Sequence, residues 1–242
     1  MDTKTLFIAD LHLCESRPSI ITSFEGFLIG PAREAEALYI LGDLFEYWPG
    51  DDARSLPFYA SLSAQLRAVS AQGVELFLIH GNRDFLIGRA LAGEIGATLL
   101  DDPFVMDLYG TPTCLMHGDT LCTDDLEYQR FRAQVRDAEW QRDFLAAPLQ
   151  QRIATAEALR RQSIAAKEQK EETIMDVNDA AVAAVFHQSG CQRLIHGHTH
   201  RPALHRLSVD GVTRERWVLN DWYSQGGYLE CTRGGCRQIC LG

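Results

Sequence analysis

The sequence predicts an α/β fold built on a parallel or mixed sheet, and three observations carry that prediction. Short apolar runs alternate with amphipathic helical segments along the first part of the chain. The first two runs are apolar throughout, as strands covered on both faces are. Each run also discharges into Asp, Asn or His, so chemistry-bearing residues gather on one sheet edge, where open α/β sheets place their sites.

The first run, Leu6 to Ala9, leads into Asp10-Leu11-His12. Extended backbone alternates with a period of two, so Asp10 and His12 project from the same side. Ser19 to Ile29 has helical periodicity and stops at Gly30-Pro31. The second run, Ala37 to Leu41, ends in Gly42-Asp43, with Leu44-Phe45-Glu46 beyond, and Leu56 to Val69 reads as an amphipathic helix. The third, Val74 to Ile79, discharges into His80-Gly81-Asn82-Arg83-Asp84. Gly42 and Gly81 are expected to allow tight turns just before Asp43 and Asn82. A fourth run, Thr113 to Met116, precedes His117-Gly118-Asp119, and a fifth, Arg193 to Ile195, precedes His196-Gly197-His198-Thr199-His200.

Between the fourth and fifth runs the pattern changes. Tyr128 through Lys170 has helical propensity with an interruption near Pro148, and Asn178 to Gln188 starts a further helix at a good N-cap. Leu204, Leu207 and Val209, then Trp217 to Leu219, then Tyr228-Leu229, read as terminal strands closing a second sheet.

Composition bounds the function. The 242 residues, 46% hydrophobic and 23% charged, suit one soluble globular domain with a full core. A net charge of −10 argues against a general nucleic-acid binder. No apolar run approaches the roughly 20 residues needed to span a bilayer, and Met1-Asp2-Thr3-Lys4 leads straight into a strand rather than a signal peptide. Seven cysteines, an odd number, point to a reducing compartment with free thiols. Cys231, Cys236 and Cys240 fit short terminal strands better than a metal knuckle.

One Asp-x-His pair at a strand end is ordinary surface chemistry. Five blocks of Asp, Asn and His, each within two residues of a strand end, are the raw material of a metal centre. Their sequences, Asp10-x-His12, Gly42-Asp43, Gly81-Asn82-Arg83-Asp84, His117-Gly118-Asp119 and Gly197-His198-Thr199-His200, resemble in order the motif set of the calcineurin-like metallophosphoesterases. That resemblance implies a sandwich of two mixed β-sheets flanked by helices, a single domain over 1–242 with a helical cap inserted at about 122–172. It also implies two Mn²⁺ ions per chain. One would take Asp10, His12 and His200, the other Asn82, His117 and His198, with Asp43 bridging them. Asp43, Asn82, Arg83, His117 and His198 would be the catalytic set. His80 and His196, just ahead of their motifs, read as satisfied core histidines.

The phrases Phe7 to Leu13, Leu41 to Glu46, His80 to Phe85 and His117 to Asp125 are similar to one branch of that family. That branch cuts the pyrophosphate of UDP-2,3-diacylglucosamine in bacterial lipid A synthesis, releasing UMP and an acylated glucosamine 1-phosphate. The branch implies that Asn82, Arg83, Asp125, Ser163, Lys167, Lys170 and His198 bind substrate, Lys167 being the least well matched. It also implies a monomer at the cytoplasmic face of the inner membrane. Arg83 stands where many family members carry His. An arginine is a poor proton donor but a good bidentate partner for phosphate, which suits a leaving group that departs without protonation. A nucleotide phosphodiesterase is the alternative. Tyr128 to Lys170 holds nine Arg or Lys against five Asp or Glu, and includes Trp140, Phe144, Leu145, Leu149 and Ile153. A basic, aromatic-bearing helical segment suits a cap that accepts acyl chains and touches anionic lipid.

Overall fold

The computed structural model describes residues 3–169, 176–223 and 226–241, the side chains of 162–169 excepted. The first half alternates strand and helix: β1 (Thr5–Ile8), α1 (Pro18–Ile29), β2 (Ala37–Leu41), α2 (Pro57–Ser70), β3 (Glu75–Ile79), α3 (Arg89–Ile95) and β4 (Ala97–Leu99). The strands β5 (Phe104–Leu108) and β6 (Thr111–Leu115) form a hairpin. Three helices follow, α4 (Leu126–Val135), α5 (Ala138–Ala146) and α6 (Leu149–Gln169), then α7 (Asp179–Ser189). The chain ends with β7 (Arg193–His196), β8 (Ala203–Val209), β9 (Val212–Val218), β10 (Gly227–Thr232) and β11 (Gly235–Cys240).

Two mixed sheets result, ordered β11-β10-β1-β2-β3-β4 and β5-β6-β7-β9-β8. The continuous apolar runs now have a cause. In β1, Leu6 and Ile8 face helices α1 to α3, while Phe7 packs between the two sheets. Phe7, Tyr39 and Phe77 stand in register on neighbouring strands and stack at 5.1 and 4.5 Å between centroids. A third apolar layer seals the second sheet under Val182 and Phe186 of α7. That helix starts where Asn178 accepts hydrogen bonds from the backbone N–H groups of Ala180 and Ala181, as its sequence predicts.

Three expectations need correction. The strand carrying Tyr228-Leu229 does not close the second sheet. It pairs antiparallel with β1, whose free side otherwise leaves a buried edge unpaired. The helical stretch breaks near Pro148 as expected, but also at Asp137, whose carboxylate accepts from the N–H groups of Glu139 and Trp140 and starts α5. Lastly, Cys231 and Cys236 are directly opposite in the β10–β11 hairpin and joined by a disulfide, where the reducing-compartment reading anticipated free thiols. Cys14, Cys114, Cys122, Cys191 and Cys240 form no disulfide among the described residues.

Candidate metal centre and adjoining cavity

The β1–β2 ladder does not stop with the strands. Asp10 N–H donates to Gly42 O at 3.1 Å, His12 N–H to Asp43 O at 2.9 Å, and Leu13 N–H to Leu44 O at 3.0 Å. Two ligand-bearing loops are thereby zipped together. Asp84 pins the third: buried completely, it accepts from Gly81 N–H at 2.9 Å and from Leu44 N–H at 2.7 Å. Gly42 turns with φ +87°, and a Cβ there would meet Gly81 and the His117 ring within 2.6 Å. Gly81 serves differently from the expected turn. Its φ is ordinary, but a Cβ would collide with the Asp43 carboxylate, so the residue is needed for close approach.

Seven described non-glycine residues have positive φ, and five of them are Asp10, His12, Asp43, His198 and His200, at 49–69°. Left-handed backbone at a non-glycine residue is uncommon and collects at functional sites. Here it turns five side chains toward one point.

The ring nitrogen His200 Nε2 lies 3.4 Å from both His12 Nε2 and Asp10 Oδ1, and His12 Nε2 lies 3.6 Å from Asp43 Oδ2. Across the cluster, His117 Nε2 is 3.8 Å from the other oxygen of Asp43. Asn82 Oδ1 lies 2.9 Å from both His117 Nε2 and His198 Nδ1. Asp10, His12 and His200, and also Asp10, Asp43 and His117, each offer ligand atoms within 4.8 Å of one another. The seven ligands expected from sequence are thus brought together.

Two details fit a cation. The buried oxygen Asp10 Oδ1 has no hydrogen-bond partner among the described residues, while Oδ2 accepts from His198 N–H at 2.8 Å. His117 Nδ1 lies 2.9 Å from Leu41 O, so it carries the proton and a neutral ring turns a lone pair toward Asn82 Oδ1. Two acceptors at 2.9 Å require a proton or a cation between them. The electrostatics agree. Burial disfavours charging His117, yet Asp43, Asp10 and Asp119 outweigh it and push its pKa up to about 9. Burial pushes Asp43 up to about 7 against the pull of His117. The cluster holds protons tightly in the absence of metal, as a competitor for cations does.

Beside the ligands lies a cavity of about 290 Å³ lined by Asn82, Arg83, Asp125, Trp48, Phe131, Trp140 and Phe144, among others. Trp140 and Phe144 stack at 5.0 Å, and Phe144 and Leu149 pack onto the body. Asp125 reaches this cavity while also capping α4, its Oδ1 accepting from Tyr128 N–H at 3.0 Å. Ser163 and Lys167 lie on α6 but their side chains, and Lys170 altogether, fall outside the described residues. His80 and His196 are satisfied by backbone, at Ile87 O and Gly197 O.

Sequence reasoning missed several partners. Asp84 and Glu46 sat inside the quoted motifs, but nothing in their spacing tells what they bind. Tyr223 lies in irregular backbone after β9, its ring 5.1 Å from those of both His12 and His200. Most of the arginines in the stretch from α4 to α6 are also engaged with the body. Arg132 pairs with Asp119 at 2.7 Å, Arg136 donates to Gly81 O at 2.8 Å, Arg152 pairs with Asp52, and Arg160 donates to Glu46 at 2.7 Å.

Comparison with known proteins agrees with this geometry. The calcineurin-like phosphoesterase family model matches residues 3–202. A protein of Aeromonas salmonicida (strain A449) named UDP-2,3-diacylglucosamine hydrolase is 50% identical over 232 residues, covering 96% of this chain and 91% of its own. Proteins of the same name from Aromatoleum aromaticum and Escherichia coli O81 (strain ED1a) are also 50% identical. They cover 96% and 94% of this chain, and 94% and 95% of their own. With its five motif loops brought together from strand ends of both sheets, the chain belongs to the calcineurin-like phosphoesterase family.

Proposed function

We propose that the protein hydrolyses the pyrophosphate bond of UDP-2,3-diacylglucosamine, giving UMP and 2,3-diacylglucosamine 1-phosphate. The observation carrying this reading is the position of Asp43: its two oxygens face opposite histidines, His12 and His117, beside a largely apolar cavity. The strong relatedness to hydrolases of that name supports the substrate.

In this reading Asp10, His12 and His200 hold one cation, Asn82, His117 and His198 the other, and Asp43 serves both. The mixture of carboxylate, imidazole and amide donors suits Mn²⁺. Bound cations supply an acidified water and neutralise phosphoryl charge. The remaining work falls to side chains. The Arg83 guanidinium forks onto the diphosphate and stabilises a departing phosphate that needs no proton. Asp125, Ser163, Lys167 and Lys170 would bind the sugar and diphosphate, and Trp140, Phe144 and Phe131 would shelter acyl chains. Residues 1–242 form one domain in which about 122–172 cap the site. We further propose a monomer seated on the cytoplasmic face of the inner membrane. No helix among the described residues is long and apolar enough to cross a membrane. Exposed Leu126, Phe131 and Leu145, with exposed Arg130, Arg142 and Arg161, all on α4 to α6, support surface contact.

Metal-stripped protein refilled with single cations tests this, assayed on the diacylated UDP-sugar and its deacylated analogue. Activity restored best by Mn²⁺ and only on the acylated substrate is expected. Equal rates on the two substrates would favour a nucleotide phosphodiesterase, and undiminished activity in chelator would overturn the metal centre. Turnover in ¹⁸O-water should label UMP, reporting attack at the phosphorus nearer uridine; label in the sugar phosphate would refute it.

A further inference from the structure

Glu46 belongs to no ligand set, yet its side chain is 3% exposed and lies against the ligand loops. Its N–H donates to Leu13 O at 3.1 Å, which fixes its backbone beside the loop carrying His12. One carboxylate oxygen, Oε2, pairs with Arg17 and lies 3.9 Å from His12 Nδ1. The other, Oε1, accepts from Arg160 Nε of α6 at 2.7 Å.

The two nitrogens of His12 face different groups. Nε2 turns to Asp43 and His200, while Nδ1 is buried without a hydrogen-bond partner among the described residues and has Glu46 as its nearest carboxylate. At 3.9 Å this is an electrostatic contact, short of a hydrogen bond. A carboxylate on that side favours the tautomer with the proton on Nδ1, leaving Nε2 free to ligate.

Helix α6 gives the arrangement reach. Among its described residues, Leu149 packs on the apolar body, and polar ties run from Arg152 to Pro49 O and Asp52, then from Arg160 to Glu46 about two turns on. Glu46 and Arg160 both line the cavity beside the ligands. Seating of the helix, occupancy of the cavity and orientation of His12 therefore meet at one carboxylate.

The geometry points to Glu46 as a positioning residue that orients the His12 ring and couples it to the seating of α6 through Arg160. This rests on reading Asp10, His12 and His200 as metal ligands. Arg17 and Arg160 hold the Glu46 carboxylate from its two oxygens so that Oε2 faces His12; without Arg160 only one oxygen is tethered, and the ring is less firmly oriented.

The test is Mn²⁺ binding to the whole protein, by equilibrium dialysis with electron paramagnetic resonance, for wild type, Glu46→Gln, Arg160→Met and the double variant. Glu46→Gln is expected to weaken one of the two sites by about 10–100-fold. Arg160→Met, on a part-exposed side chain outside the ligand set, should weaken the same site about fivefold. The double variant should match Glu46→Gln within about twofold, since both changes act through one contact. Wild-type affinity in Arg160→Met, or multiplying losses in the double variant, would overturn the coupling. A wild type that binds no Mn²⁺ would instead overturn the metal-centre reading. Thermal melting of Arg160→Met within a few degrees of wild type, with the loss of affinity intact, separates positioning from a general loss of structure.

Discussion

The loops around Asp43 and the helices α4 to α6 that adjoin them are both rich in polar residues, but the polar groups do opposite work. In the loops, backbone hydrogen bonds and the Asp84 carboxylate fix side chains that converge on an interior point. In α4 to α6, described side chains reach outward from the helices to tie them to the body. A sheet edge can pre-organise a charged cluster because the ladder holds the backbone. A helical insert tied down through side-chain ion pairs can adjust to its ligand.

Removing the pin under the loops sharpens that contrast most. Asp84→Ala leaves several buried N–H groups unpaired and should destabilise the protein by about 3–6 kcal/mol, read by urea unfolding. A loss below about 1 kcal/mol would mean the loops hold without it. Proton competition comes next. His117 keeps its proton up to about pH 9 in the metal-free cluster, and Asp43 up to about pH 7. Metal must displace those protons, so apparent Mn²⁺ affinity should rise by about tenfold per pH unit between 7 and 9 and then level off. The sign follows because the metal-free form binds more protons than the loaded one. Affinity flat across that window would contradict the proton assignment. The smallest effect belongs to the helices. Trp140→Ala removes one wall of the cavity and should raise KM for the diacylated substrate about tenfold while leaving a deacylated analogue unchanged. Equal changes for both would show that the tryptophan serves the fold instead.

The strand ends were legible in the sequence because β1 and β2 are buried along their whole length, and β3, β6 and β7 are buried toward the ends that carry the motifs, which leaves apolar residues just ahead of each. The ligands follow each run directly, so finding the strand finds the residue. Asp84 and Glu46 were visible but mute, since their partners are backbone N–H groups and side chains distant along the chain. The role of Gly81 was misread for a similar reason: its ordinary φ hides that Asp43 lies where a Cβ would be. The partner of β10 was illegible because alternation reports a half-buried strand but not which edge it joins. In the insert, α6 lacks a clear apolar stripe, so helical propensity could mark its extent but not its docking.

The left-handed backbone at Asp10, His12, Asp43, His198 and His200 has a consequence for how this surface can drift. Among side-chain-bearing residues, Asn, Asp and His are the ones that most readily adopt that conformation, and they are also good ligands for hard and borderline cations. Conformation and coordination therefore draw on one small alphabet. Descendants released from catalysis should retain Asn, Asp, His or Gly at these places long after the reaction is gone, because the turns still demand them.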